Sequence, residues 1–297
     1  MKFLIITPSL NQLAYLKRCV ASVADQIAGD RAHQGRIEVH HHVQDGGSTD
    51  GTIEFLQEYM ARQSSTAGYQ LTFASEVDEG MYDALNKGFE RSSGDIFAWL
   101  NCDEQYLPGA LGKVARHFAE HSGADMVYGD ALMVDPEGHL LTYRKNPPLR
   151  RAYVLADHLY TQSAAMFFRS RIFTSGLRFN TAWKAVGDCD FVIRAMKAGF
   201  RPAQMSVYLA ACIMTGENLS RKQTGVEELQ SFRRTVALRY RLGRPIWNLL
   251  RHSEKFMRGG FRQAVPLEYD LYPEDSNIRK KFTAQNADFR FRWGAHE

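Results

Sequence analysis

Three acidic segments stand where carboxylates could do chemistry. Asn101-Cys102-Asp103-Glu104 follows the apolar run Phe97-Ala98-Trp99-Leu100. Carboxylates at a strand end supply hard oxygen ligands of the kind a divalent cation takes when it also carries a phosphorylated substrate. Asp188-Cys189-Asp190 precedes an apolar-periodic stretch. Two neighbouring carboxylates there suit general-base work, or simply cap the helix. Asp45-Gly46-Gly47-Ser48-Thr49-Asp50-Gly51-Thr52 joins an alternating stretch to a helical one. Its glycines let the backbone approach a ligand, Asp45 can accept hydrogen bonds from a base's ring N–H, and Asp50 can cap the next helix. His40-His41-His42 has no identifiable third ligand and reads as structural.

The elements that must hold these residues alternate. Residues 3–6 form an apolar run ended by Thr7-Pro8, and Ile37 to Val43, Leu71 to Ala74 and Ile96 to Leu100 are further strand candidates. Helical spacing links Leu13, Leu16, Val20 and Val23, then Ile53, Leu56 and Met60, and then Met81 to Ser92. Such alternation predicts a parallel sheet covered by helices on both faces. Ligands bind outside the carboxyl ends of such strands. Thr7-Pro8, Asp45, Glu76-Val77-Asp78 and Asn101–Glu104 all fall at those ends and should share one rim. Further on, Asp135-Pro136-Glu137-Gly138 reads as a hairpin turn, Ala164 to Phe168 as a strand, and Asp190 to Ala198 as a helix closed by Gly199.

The 297 residues are 44% hydrophobic and 24% charged, which excludes a wholly disordered chain. The four cysteines form no C-x-x-C pair, so neither a disulfide frame nor a zinc site is expected. No signal peptide or membrane-spanning stretch is evident, and the protein is expected to be cytoplasmic or peripheral on the cytoplasmic face of a membrane. The net charge of +4 is uneven. From Ser231 onward there are 14 basic and 7 acidic residues, leaving −3 on the rest. A basic tail on a mildly acidic body points to an anionic partner surface. G-x-G-x-x-G is absent, so the dinucleotide reading fails.

Taken in series, several segments resemble family 2 glycosyltransferases. They are Ile5-Ile6-Thr7-Pro8-Ser9-Leu10-Asn11, Val43 through Thr52, Glu76 through Gly88, Trp99 through Glu104, Asp188 through Arg194, and Gly216-Glu217-Asn218-Leu219-Ser220. The resemblance covers roughly residues 1–222. It implies an α/β GT-A fold, with a donor half (1–104) and an acceptor half (105–223), followed by a helical, basic, aromatic-rich extension (224–297). It further implies donor contacts at Thr7, Pro8, Asp45, Glu76, Asp78, Asn101 and Asp103. Asp103 would be the ligand of Mg²⁺ or Mn²⁺, and Asp188 the catalytic base, with Asp190 as the competing candidate. Asn101 replaces the first Asp of the family's D-x-D motif and adds no charge. Thr161-Gln162-Ser163 stands where some relatives have His-Gln-Ser.

The activity so implied is inverting, metal-dependent hexosyl transfer from a nucleotide-sugar, UDP-hexose or UDP-N-acetylhexosamine first, to a hydroxyl of a glycan or lipid-linked acceptor in polysaccharide or glycolipid synthesis. Sugar nucleotidyl transfer and non-catalytic nucleotide-sugar binding are the alternatives. The first lacks a basic Gly-rich loop after the first strand, and the retained Asp103, Asp188 and Asp190 count against the second. Nucleic acid is not an expected partner. Over residues 245–263, an amphipathic helix is expected. Its basic residues Arg251, Lys255, Arg258 and Arg262 fall on one stripe opposite Ile246, Leu249, Leu250, Phe256, Met257 and Phe261. That pattern is expected to dock on an anionic membrane, or else to pack on the catalytic unit or a second subunit.

Overall fold

Lys2–Ser9 forms β1, and its residues 3–6 are fully buried because both faces of the strand are covered. The computed structural model describes residues 1–30, 37–62, 68–216, 223–274 and 276–290. After β1 come α1 (Leu13–Ala24), β2 (Glu38–Asp45), α2 (Thr52–Arg62), β3 (Tyr69–Ser75), α3 (Met81–Arg91) and β4 (Ile96–Trp99). These four strands pair in parallel in the order β3-β2-β1-β4. Residues 104–213 add β5 (Glu104–Tyr106), α4 (Ala110–Glu120), β6 (Met126–Val134), β7 (Leu140–Arg144), α5 (Arg151–Ala156), β8 (Met166–Arg169), α6 (Arg171–Thr174), α7 (Gly187–Lys197) and β9 (Pro202–Ile213). Among the described residues the sheet has nine strands, continuing from β4 through β8, β6 and β9 to β5, with β7 on β6. Antiparallel pairs enter here, at β4–β8, β6–β8, β6–β7 and β5–β9.

Alternation along β1 sorts the core into two layers. Phe3 and Ile5 pack with Leu16, Cys19 and Val20 of α1, whereas Leu4 and Ile6 pack with Leu85 of α3, Trp99, Phe168 and Phe191 of α7. All four cysteines are free and buried. The histidine triplet is structural: His41 bridges Thr7 Oγ1 and Tyr69 Oη, and His40 and His42 both reach Thr72 Oγ1. Burial, reinforced by the neighbouring histidines, pushes His41 down to about 3.

The extension is helical over α8 (Gln223–Thr235), α9 (Leu238–Leu242) and α10 (Arg244–Met257). It then adds an antiparallel hairpin, β10 (Leu267–Leu271) with β11 (Lys280–Ala284), which the periodicity did not reveal. Tyr269, Leu271 and Phe282 of that hairpin bury against Leu132, Val134 and Ile213. The helices are tied down at Asp157, whose carboxylate accepts from Arg233, Arg244 and Arg251 at 2.7–2.9 Å. Burial pushes that carboxyl up, but His158 and the arginines outweigh it and hold it well below the usual range.

The expected amphipathic helix exists but ends at Met257, just before Gly259 at φ +68°. Its stripes are reversed relative to membrane docking through the basic side. Arg251 is buried against Asp157 and Lys255 turns inward, whereas Ile246, Leu249, Phe256 and Met257 face solvent, Met257 at 76% exposure. A buried carboxylate can hold an arginine that would otherwise stay in water, and Asp157 supplies it. No helix among the described residues is long and apolar enough to cross a membrane.

Candidate active site

The carboxyl ends of β1, β2 and β3 are in register, Ser9 beside Asp45 and Asp45 beside Ser75. They form the expected rim, and beside it opens a cleft of about 1140 Å³. Pro8, Asp78, Asn101, Asp103 and Asp188 all line this cleft, as do Thr161, Gln162 and Ser163. Donor-side and acceptor-side candidates therefore face one space.

Four candidates are not among the residues that line it. Thr7 shares the α1 face of β1 with Phe3 and Ile5, so its hydroxyl meets His41 at 2.8 Å and Cys19, while Pro8 takes the opposite face. Asp45 is fully buried, and its carboxylate holds its own loop. Oδ2 accepts from the Gly47 and Ser48 amides, both at 2.9 Å, and from the Ser75 hydroxyl at 2.6 Å, while Oδ1 accepts from the Ser48 hydroxyl. Glu76 pairs with Arg91 at 2.9 Å and with Lys87. Asp190 accepts from Arg194 Nε at 2.8 Å. Asp50 caps two helices, taking the Leu13 amide with Oδ2 and the Thr52 amide with Oδ1. Of Gly216-Glu217-Asn218-Leu219-Ser220, all but Gly216 lie outside the described residues.

Asp78 accepts from the Gly80 amide at 2.7 Å. Its Oδ2 lies 2.9 Å from where a Cβ on Gly46 would stand, so only glycine leaves that carboxylate its place. Asn101 lies two residues beyond the end of β4, and its backbone N–H donates to Glu104 Oε2 at 2.8 Å. The Asn101 Oδ1 is buried without a protein partner, and buried acceptors are rarely left so. Asp103 is partly exposed in the same wall. Burial first, and then the Asp103 charge, push the Glu104 carboxyl up to about 8. An orphaned amide oxygen beside a carboxylate is a hard-oxygen donor set that fits Mg²⁺ or Mn²⁺. Among the described residues the close group of three His, Cys or acidic side chains is His117, Glu120 and His121 at the end of α4, none of which lines the cleft.

Asp188 lies in the first turn of α7. Its Oδ1 accepts from the Cys189 amide at 2.7 Å and from the Tyr82 hydroxyl at 3.4 Å. Burial raises this carboxyl to about 6, close to the pH at which a general base works best. A Cβ on Gly187 would come within 2.6 Å of the Tyr82 ring, so glycine there admits the tyrosine to Asp188. The turn is also held from outside. Glu228 of α8 accepts the backbone amides of Lys184, Ala185 and Val186, and Lys184 Nζ donates to the Glu79 carbonyl. Tyr82, Lys184 and Glu228 were not among the sequence candidates. Tyr82 sits at an ordinary core position of α3, and nothing in the local pattern marks Glu228 as the anchor of a loop more than forty residues away.

Comparison with known proteins follows the same outline. The profile described as Glycosyl transferase family 2 matches residues 4–194. A PGL/p-HBAD biosynthesis glycosyltransferase of Mycobacterium tuberculosis is 30% identical over 211 residues, covering 70% of this chain and 73% of that protein. Chondroitin synthase of Escherichia coli is 26% identical over 77% of this chain and 31% of its own length. Among solved structures, S. aureus TarS in complex with UDP-GlcNAc superposes with a TM-score of 0.56 at 14% identity, covering 96% of this chain and all of that one. A Pyrobaculum calidifontis mannosyltransferase in complex with GDP-Man and Mn²⁺ gives 0.54 at 14% identity, over 89% and 76% of the two chains. These structural likenesses establish the GT-A fold.

Proposed function

The chain belongs to glycosyl transferase family 2, and from that premise we propose that it transfers a hexose or N-acetylhexosamine from a nucleotide-sugar to an acceptor hydroxyl, with inversion, using Asp188 as base. The observation that carries the reading is a carboxyl raised by burial, Asp188, facing the same cleft as Asn101 and Asp103. The acceptor is a glycan or a lipid-linked sugar. UDP is the first choice of donor nucleotide, in keeping with the UDP-GlcNAc bound by TarS, and GDP the second.

In this mechanism the nucleoside lies against Pro8 and Asp78, and Asn101 and Asp103 are the residues that would hold the divalent cation. When bound, Mg²⁺ or Mn²⁺ neutralises charge on the departing nucleoside diphosphate. Asp45, though not among the lining residues, shapes the base pocket through the loop it holds. Asp188 takes the proton from the attacking hydroxyl as that oxygen bonds to the anomeric carbon and the sugar–phosphate bond breaks. One displacement by one nucleophile inverts the centre. Tyr82 orients the base, and a base near pH 6 is deprotonated at neutral pH yet still strong enough to take a proton in the transition state.

The exposed apolar face of α9 and α10 supports peripheral docking on a lipid surface. Leu238, Leu242, Ile246, Leu249, Phe256 and Met257 face solvent, and α9 also exposes Arg239 and Arg241. The cations and the apolar side chains then share one surface, as an interfacial helix requires. Co-sedimentation with anionic vesicles tests this. Leu249→Ser/Phe256→Ser should release the protein, whereas dimers that persist without lipid would assign the face to a second copy.

The reading as a whole is tested by calorimetric titration of UDP-GlcNAc, UDP-glucose and GDP-mannose in Mn²⁺. One of them should bind and should fail to bind after chelation. Equal binding without metal would remove the metal from the account.

A further inference from the structure

The acceptor-side wall of the cleft carries positive charge that its surroundings do not neutralise. Arg144, at the end of β7, and Lys255, in the last turn of α10, both line the cleft. Neither forms an ion pair with a described residue. The Arg144 guanidinium donates to the Phe289 carbonyl at 3.1 Å and to Thr142 Oγ1 at 3.5 Å, both neutral. Lys255 Nζ lies 5.0 Å from the Phe261 ring centre. Nearby Arg251 differs, since its charge is spent on Asp157 at 2.9 Å. The acid whose charge acts on Lys255, Asp130, is buried, and its Oδ1 accepts from the Asn146 amide at 2.8 Å. Burial first, and then Arg144 and Arg251, push Lys255 down to about 8.

Half-buried cations that repel one another cost stability unless a counter-charge arrives. The donor diphosphate is the first anion to consider, but the sheet register separates it from this wall. Glu104 stands opposite Cys212, Cys212 opposite Met133, and Met133 opposite Thr142. β7 is therefore three strands from the Asp103 end of the cleft, about 14 Å measured along the sheet. A diphosphate seated at Asn101 and Asp103 does not extend that far.

We propose that Arg144 and Lys255 form an anion subsite for the acceptor, receiving a phosphate or carboxylate carried by the same molecule whose hydroxyl faces Asp188. The proposal rests on the glycosyltransferase reading and narrows its acceptor to an anionic one. The two cations are positioned by elements from different parts of the chain, β7 and α10, so docking of the extension completes the subsite. That gives the inward turn of the basic stripe a use.

The full chain, saturated with Mn²⁺ and the nucleoside diphosphate it binds, is titrated with glucose 6-phosphate, glucuronate and farnesyl phosphate, and with uncharged glucose and farnesol as controls. At least one anionic probe should bind tenfold or more tighter than its neutral control. The preferred probe distinguishes a soluble glycan anion from a lipid carrier. Arg144→Gln and Lys255→Met should each lower that affinity tenfold or more, leave nucleotide affinity within twofold, and leave the unfolding temperature at or above that of wild type. Lys255→Arg should retain binding. Equal affinity for charged and neutral probes overturns the proposal. So does a loss in nucleotide affinity, which would assign the cations to the donor, or a Lys255→Arg protein as impaired as Lys255→Met, which would assign Lys255 to packing. A wild-type protein that binds no nucleoside diphosphate contradicts the donor reading instead.

Discussion

The Tyr82 hydroxyl donates to Asp188 Oδ1 at 3.4 Å, joining α3 to α7 in the wall of the cleft. Because this bond favours the ionised carboxylate, it opposes the burial that raises Asp188. Tyr82→Phe should therefore raise the carboxyl further and move the acid limb of the rate–pH profile upward from about pH 6. A profile that stays in place would break the link between the two residues.

Asp188→Asn should slow transfer by roughly 10²–10⁴-fold while leaving donor affinity intact. It should also stabilise the fold. A carboxyl raised from 3.8 to about 6 costs the folded state nothing below pH 3.8 and progressively more up to about pH 6. The uncharged amide removes that cost, so the variant's gain in unfolding temperature should be present at neutral pH and vanish as the pH falls toward 3.8. A variant within about threefold of the wild-type kcat would move the base elsewhere.

Asp45→Ala should raise the donor KM more than it lowers kcat, because the lost interactions shape binding in ground and transition states alike. Four hydrogen bonds converge on that carboxylate, so the loop between β2 and α2 should also become more open to proteolysis. An unchanged KM across several donors would remove Asp45 from donor recognition.

Asp157→Ala should destabilise the protein by about 3–5 kcal/mol, since Arg251 and Arg233 would be left largely buried and unpaired. Urea unfolding measures it, and a loss under about 1 kcal/mol would show that the extension is held by its apolar contacts alone.

His42 is buried and held down to about 4 by desolvation. A base with a lowered folded pKa adds stability above its unfolded value of 6.5, and that stability is lost as the pH falls toward 4. The stability of wild type relative to His42→Gln should accordingly shrink between about pH 7 and pH 5, by on the order of 2 kcal/mol. A constant difference would mean that the imidazole titrates normally.

The strands β1 to β4 could be read from sequence because β1 and β4 hold short apolar runs and β2 alternates, each leading into polar residues. Beyond residue 104 the turn at Asp135–Gly138, β8 and α7 were legible, but β5 and β6 were not. All nine residues of β6 are buried, which erases the alternation that marks a strand, and β5 is only Glu104-Gln105-Tyr106. Within the site, spacing located the rim but not the direction of each side chain. Thr7 and Pro8 are adjacent in a strand and so face opposite ways, and only Pro8 meets the cleft. Asp45 sits at the rim, yet the Gly47 and Ser48 amides and the Ser75 hydroxyl claim its carboxylate. The two stripes of α10 were visible in the pattern, but their orientation depended on Asp157, nearly a hundred residues earlier.

The central claim is transfer from a nucleotide-sugar with inversion. Its most direct test is proton NMR of the glycoside formed from an α-linked UDP- or GDP-sugar in Mn²⁺, with acceptors that include anionic glycans and lipid phosphates. The account predicts a β-linked product from the wild-type protein, abolished by EDTA, and reduced about a hundredfold or more in Asp188→Asn. An α-linked product, or a β-linked product formed at the wild-type rate by Asp188→Asn, would contradict it.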